Sequence, residues 1–383
     1  MDVEREVVSC ARELVRIQSY SGQEAEVARY VVARMEALGF DEVLLDGMGN
    51  VLGRVGDGER VLLLDSHMDT VEVPDEEAWR IPPFEGRIQD GLLHGRGSAD
   101  MKAALAASLH GAAMAKRRGW LEGRTVYVSA TVMEEDCDGE NLKHLLQETG
   151  IRPDAVVVCE PSNNRIVLGH KGKALVTVRT RGTSAHGATP ERGRNAISEM
   201  ADILQRVEAL DRRLAATKGR RGTAVVTRIE SMGASLNAVP SECEIHIDRR
   251  LGPGEDQALV EREMVALTEG KDASWEVAPV RRTSWTGMPV EYYPVHDSWS
   301  LAEDHPLTTA CERAFWSVFS HESRPFGFWD FSTNAVTPVA LGIPTIGFGP
   351  GDPAVAHARD EACPIQQIRD AALFYATLIR EAP

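Results

Sequence analysis

The sequence predicts an α/β fold with helices on both faces of a sheet, interrupted by an inserted α+β unit of ferredoxin-like type. Three observations predict it. In the first third of the chain, short apolar β-rich runs alternate with segments of helical apolar spacing. From about residue 171 the strand-like segments alternate apolar and polar residues instead, as half-exposed antiparallel strands do. Near residue 305 the texture of helices and buried strands returns. At 383 residues the chain has room for two or three domains of about 150 residues each.

Residues 3–17 and 23–38 carry helix-period apolar spacing, and Gly39 stands where a helix would stop. In VLLLDSHMDT, the run Val61–Leu64 reads as a buried parallel strand with polar groups at its C-terminal edge. Ala103–Lys116 is an alanine-rich helix. Thr125–Asp136 and Asp154–Pro161 read as two more buried strands ending in acids. Beyond residue 171, KALVTVRTRG, a helix over Ala196–Leu214, TAVVTRIE, SECEIHIDRR, a helix over Asp256–Gly270 and SWEVAPV follow in the order β-α-β-β-α-β. A helix near His305–Phe319 and the strand-like IPTIGFG resume the first pattern. The expected organisation is a discontinuous body, 1–170 and 286–383, with residues 171–285 inserted.

Apolar residues make up 43 % and charged residues 26 %, the composition of an ordinary globular chain. Fifty-eight acidic residues against 42 basic ones give a net charge of −16. Such a surface repels phosphate backbones and anionic lipid, so neither nucleic acid nor membrane is an expected partner. No apolar run approaches the ~20 residues needed to span a bilayer. The charged N-terminal stretch reads as an amphipathic helix, not a signal peptide. The six cysteines form no CxxC pair, which fits reduced thiols in a cytoplasmic protein.

Three separate strand ends deliver acids or imidazoles: His67 with Asp69, Glu134 with Glu135, and Glu160. In an open α/β sheet, strand C-termini converge on one crevice. Asp100, in GRGSADMKA, precedes the alanine-rich helix, and His357 follows the glycine-rich FGPGDPAVA. A lone His-x-Asp is usually a surface pair, and two adjacent glutamates are usually a solvated loop. Three buried strands that all end in acids call for a cation, because uncompensated buried charge is costly. Nitrogen and oxygen donors without thiolate suit zinc, manganese or cobalt.

The motifs LLLDSHMDT, HGRGSADMK, VMEED, VCEP, GTSAHGATPERGRNA, NAVPSECEIHIDRR and FGPGDPAVAHARDE, in this order, resemble the aminoacylase, carboxypeptidase G and succinyl-diaminopimelate desuccinylase family of two-metal amidohydrolases. EEDCDG and FSTNAVTPVALGIPTIGFGPG are most similar to its selenium-metabolism hydrolase branch. The resemblance implies a mixed-sheet, zinc-peptidase-like body and a lid that also dimerises. It implies two divalent ions, zinc first with manganese or cobalt as alternatives. Asp100 would bridge them, with His67 and Glu160 completing one site and Glu135 and His357 the other. Asp69 would orient His67 through its second ring nitrogen, and Glu134 would be the general base on a bridging water. His186 would cross a dimer interface to stabilise an oxyanion. Asn237 and Arg250 would hold the substrate, commonly its carboxylate.

On the residues alone, His186 reads as a solvated loop histidine; the plain alternative for Arg250 is an exposed strand-end charge, and for Asn237 a turn residue before Pro240. The expected reaction is hydrolysis of an amide-type C–N bond in a small molecule, such as an N-acyl amino acid or a short peptide. Removal of ammonia or a carbamoyl group by the same water is the alternative reaction, and ligand binding without catalysis the alternative class. Asp136-Cys137-Asp138-Gly139 after the paired glutamates, Thr333-Asn334 and Val336 depart from common family patterns, and bear on the substrate and not on the metal ligands.

Overall fold

The computed structural model describes residues 3–233 and 235–382. Two helices, α1 (Val3–Arg16) and α2 (Ala25–Leu38), open the chain, and Gly39 ends α2 in the left-handed conformation (φ +81°). There follow β1 (Glu42–Leu45), β2 (Val51–Gly56), β3 (Arg60–His67), β4 (Arg87–Gln89), β5 (Leu92–His94), α3 (Lys102–Arg117), β6 (Arg124–Thr131), α4 (Glu140–Thr149), β7 (Ala155–Val158) and β8 (Val167–His170). The next segment comprises β9 (Gly172–Arg181), α5 (Ala196–Ala215), β10 (Thr223–Met232), β11 (Glu242–Leu251), α6 (Gln257–Thr268) and β12 (Ala273–Glu276). The remainder is β13 (Val280–Thr283), β14 (Pro289–Tyr292), β15 (Val295–His296), β16 (Trp299–Ser300), α7 (Pro306–Phe319), β17 (Gly327–Trp329), α8 (Val336–Ala340), β18 (Thr345–Gly347), β19 (Ala362–Pro364) and α9 (Ile365–Glu381).

The larger sheet runs β1-β2-β6-β3-β7-β18-β8-β16, with β17 also paired to β8. Its centre, β6-β3-β7-β18, is parallel, and its flanks are antiparallel except for β17, which runs parallel to β8. The sheet is therefore mixed, with helices on both faces. Leu62 and Leu64 pack into the core shared with α1, α3 and α9, while Leu63 between them joins Leu142, Leu145 and Leu146 of α4 on the other face. Alanines let α3 lie close to α1, α9 and β3, and its residues from Lys102 to Ala115 are buried.

The inserted segment has its own sheet, in the order β12-β9-β11-β10, antiparallel throughout. That is the strand order of a ferredoxin-like unit. Ala174, Val176 and Val178 of β9 point into a second core with Met200 and Ile203 of α5 and Val260 and Met264 of α6. The opposite face leaves Val225 and Ile229 exposed. The chain then returns to the first body, where Val290 and Tyr292 of the β13–β14 hairpin are buried in the larger core. Afterwards β15 adds briefly to β9. The inserted segment has an apolar core of its own, separate from the two clusters on the faces of the larger sheet, so the chain packs as two units.

Two strands stop earlier than their apolar character suggested. β6 ends at Thr131, because Met133 turns into the left-handed region (φ +56°), and the Val132 amide leaves the ladder to donate to Asn50 Oδ1. β7 ends at Val158. The acids thus stand on turns past the strand ends. No helix among the described residues is long and apolar enough to cross a membrane, and all six cysteines are free and buried.

Candidate metal centre

The parallel core strands bring three chain segments to one edge of the sheet. His67, the last residue of β3, lies in register with Thr131, the last of β6, and Asp65 with Val158, the last of β7. Asp69, Glu134, Glu135 and Glu160 follow within a few residues. Asp100 enters from the loop before α3, and His357 from the loop after β18, where it holds a left-handed backbone (φ +59°).

Asp100 lies between the two imidazoles. Its Oδ1 is 3.0 Å from His67 Nε2 and its Oδ2 is 3.3 Å from His357 Nε2. Glu160 Oε1 is 3.7 Å from His67 Nε2, and Glu135 Oε2 is 2.9 Å from His357 Nε2. On the far side of His67, Nδ1 lies 3.0 Å from the Asp69 carbonyl and 3.4 Å from Asp69 Oδ1. Glu134 joins His67 and Glu160 closely enough to share a ligand, yet its buried Oε1 has no hydrogen-bond partner.

The electrostatics of this cluster are out of balance. Burial, then the charge of Glu160, hold the Glu134 carboxyl well above its ordinary range. Burial and Asp100 do the same to Glu160, and push Glu135 up to about 7. Burial opposes ionisation of Asp100 too, but its hydrogen bonds to His357 and His67 outweigh that and hold it low. Burial works against a charged His67, and bonds with Asp100 and Asp69 overcome it. Hydrogen bonds to Asp100 and Glu135 raise His357 to about 10. Protons on the two rings thus supply some positive charge, but the carboxylates exceed them. An unpartnered buried carboxylate oxygen and an all-nitrogen-and-oxygen donor set fit divalent cations. Protons and cations would compete for the same lone pairs.

A cleft of about 280 Å³ opens over the cluster, bounded by Lys173, Arg250, Phe331, Ser332, Pro353 and Ala356 besides the acids and His357. Two roomier depressions of about 780 Å³ also open, one beside α4 that shares Asp138 with the cleft and one beside α7. Arg250 and Lys173 are register partners on β11 and β9, so both cations at the cleft belong to the inserted sheet. Arg250 is held by Asp248 in a forked pair (2.8 and 3.0 Å), and Lys173 Nζ by Asp138 Oδ2 at 2.6 Å. His186 and Asn237 do not line this cleft. They adjoin each other on exposed loops, where the Gly187 amide donates to the Asn237 carbonyl at 2.7 Å.

Sequence reasoning missed several residues that shape the site. Glu361, fully buried, accepts from the amides of Gly97, Ala99 and Asp100 and from Arg96 Nη1 at 2.6 Å, fixing the loop that carries Asp100. Its one signal was an acid four residues beyond His357. Glu24 and Ser21, on the α1–α2 loop, touch the acid loop and Asp69, and no local pattern marks them. Asn334, a departure from family habit, donates to Asp65 and Thr131 and accepts from the Gly139 amide. It is buried in the support of the acid loop.

The chain matches the model of Peptidase family M20/M25/M40 over residues 63–381. It is 35 % identical to an uncharacterized Escherichia coli protein, YgeY, over 98 % of this chain and 94 % of that one. It is 30 % identical to a Pyrobaculum aerophilum protein named for the hydrolysis of LysW-lysine and LysW-ornithine, covering 94 % and 93 %. Among solved structures, a Staphylococcus aureus tripeptidase superposes with a TM-score of 0.76 at 19 % identity over 98 % of both chains, a likeness of fold. Gathered carboxylates and imidazoles at the strand ends and a family match over most of the length lead to one conclusion: the chain belongs to Peptidase family M20/M25/M40, as a metal-dependent hydrolase of amide C–N bonds.

Proposed function

We propose that the chain releases an amino acid from an N-acyl amino acid or short peptide, using two zinc ions and working as a cytoplasmic homodimer. The observation that carries the reading is Asp100, whose two oxygens face two separate imidazole–carboxylate pairs, His67 with Glu160 and His357 with Glu135. Those five residues would hold the ions, manganese or cobalt serving in place of zinc. Bound there, two such ions polarise a carbonyl and acidify a water.

The remaining work falls to side chains. Glu134, buried and with an unpartnered oxygen, takes a proton from the attacking water and passes it to the leaving amine. Its raised proton affinity suits that transfer. Asp69 keeps His67 oriented from behind. Arg250, at the wall of the cleft, holds the substrate carboxylate. His186 and Asn237 lie on exposed loops outside the cleft of their own chain, so a second copy of the chain supplies them to the oxyanion and the substrate. A relative named for the hydrolysis of LysW-lysine and LysW-ornithine supports an amino acid as the released half.

One experiment tests base and dimer together. Glu134→Ala and His186→Ala proteins are each expected to bind two equivalents of zinc and to lose nearly all turnover on a panel of N-acyl amino acids and dipeptides. Mixed and allowed to exchange subunits, they should recover roughly a quarter of wild-type activity, because half of the dimers then contain one complete site. Near wild-type turnover of Glu134→Ala would reject the base, and no recovery on mixing would reject the shared site.

A further inference from the structure

Glu24 takes no part in the mechanism above, yet it lies completely buried beside the catalytic loop. It comes from the turn between α1 and α2, far from the acids in sequence. Its Oε1 accepts from the Gly22 amide at 2.9 Å and from the Met133 amide at 3.0 Å. Its Oε2 is buried without a partner. Next to it, Asp69 accepts from the following two amides, Glu134 at 3.1 Å and Glu135 at 3.2 Å, while Ser21 Oγ donates to Asp69 at 2.7 Å. Three successive backbone N–H groups are therefore gripped by two carboxylates from distant segments.

The grip falls on one of the chain's left-handed residues. Met133 holds φ at +56°, a conformation uncommon for residues other than glycine. Such a backbone persists only where its surroundings over-determine it. Past this turn both glutamates come near His67, but Glu134 groups with Glu160, whereas Glu135 groups with Asp100 and pairs with His357. The divergence of two adjacent side chains thus depends on one left-handed residue. A buried carboxylate with an orphaned oxygen costs the fold stability, so packing alone gives no reason for an acid at this position.

We infer that Glu24 is a positioning residue for the hydrolytic site: by holding the Met133 amide it fixes the left-handed turn that aims Glu134 at the water and Glu135 at a metal ion. The inference rests on the two-ion reading of the site. It is independent of which amide is cleaved, because its first readout is metal binding.

Metal-free wild type, Glu24→Ala, Glu24→Gln and Glu24→Asp proteins should be titrated with cobalt(II), with visible absorption and bound equivalents recorded. Thermal melts and, for a hydrolysed dipeptide, kcat and KM complete the set. Wild type is expected to bind two ions. Glu24→Ala should bind one of them about 10- to 100-fold more weakly and alter its absorption band, the range seen for residues that orient metal ligands. Its kcat should fall by a similar factor at nearly constant KM, while the protein stays fully folded at the assay temperature. Glu24→Gln keeps a carbonyl acceptor for Met133 and should restore most of kcat and the cobalt spectrum. Glu24→Asp, one methylene short, should behave like the alanine variant and serves if that one does not fold. Unchanged cobalt affinity and kcat in both Glu24→Ala and Glu24→Asp would overturn the inference. So would equal loss in Glu24→Gln together with a lowered melting temperature, the mark of a purely structural residue. Failure of wild type to bind two ions would instead overturn the reading of the site itself, and this inference with it.

Discussion

The two units of the molecule each bury a charged cluster, and the two clusters are built on opposite terms. In the inserted unit, Arg249 is fully buried, yet Glu263 takes its guanidinium in a fork at 2.8 and 3.0 Å and Glu255 adds a third bond at 3.1 Å. Every charge there has a partner supplied by the chain. In the larger unit, Asp100, Glu134, Glu135 and Glu160 converge on two imidazoles, one carboxylate oxygen has no partner, and burial raises the proton affinity of three of the acids. A complete network locks β11 to α6. An incomplete one is a receptor for what the chain does not supply, and the comparison separates structural from functional burial of charge.

The comparison can be broken most decisively at Glu160. Glu160→Gln removes one of the proposed metal ligands, so turnover on a dipeptide should drop to background and zinc uptake should fall by about one equivalent. Yet the metal-free variant should be more stable than the metal-free wild type. The folded-state affinity of Glu160 for a proton is raised by burial and by Asp100, whereas the unfolded carboxyl titrates normally. A raised acid contributes its full stability only below the unfolded value near 4.5 and loses it as pH rises. The advantage of glutamine in urea melts of chelated protein should therefore widen above pH 4.5. A stability loss across that range would show that the acids were balanced after all.

The opposite result is expected at Arg249. Arg249→Met leaves Glu263 and Glu255 without their cation and should cost about 3–5 kcal/mol of stability. The variant that still folds should take up two equivalents of zinc, because Glu263 and Glu255, the acids left unpaired, do not line the cleft. A melt shifted only slightly would mean that water reaches the pair.

A smaller effect tests the bland side of the comparison, a buried imidazole with no metal role. Burial and then Arg34 lower His110 to about 3, and its Nε2 lies 3.1 Å from Arg34 Nη2. A lowered histidine contributes stability that is present above the unfolded value of 6.5 and is lost as pH falls toward 3. Between pH 7 and pH 4.5 this one group should cost roughly 3 kcal/mol, at 1.36 kcal/mol per unit. His110→Gln, which can still accept from Arg34, should lose less stability over that interval. An identical loss would assign the acid sensitivity to other groups.

How much of the site could be read in advance follows from where each residue stands. His67, Asp69, Glu134, Glu135 and Glu160 could be grouped in advance because each ends or closely follows a short apolar strand, and parallel strands deliver their C-terminal ends to one edge. Asp100 and His357 were legible from motif resemblance and glycine-rich context. Arg250 lines the cleft in register with a Lys173 that nothing in KALVTVRTRG had marked. Glu24 and Glu361 carried no spacing signal, since their partners are backbone amides 109 and 261 residues away along the chain.

The order of apolar runs, their switch from continuous to alternating texture, and the chemical character of the strand-end residues were determined by the sequence alone. Local pattern is enough for these, because strand and helix periods are properties of adjacent residues. Which acids would be satisfied and which left without a partner was decided only by the tertiary structure. So were the left-handed turn at Met133 and the two carboxylates that hold it. A hydrogen-bond account closes only when every neighbour in space is known, and neighbours in space are set by packing of the whole chain.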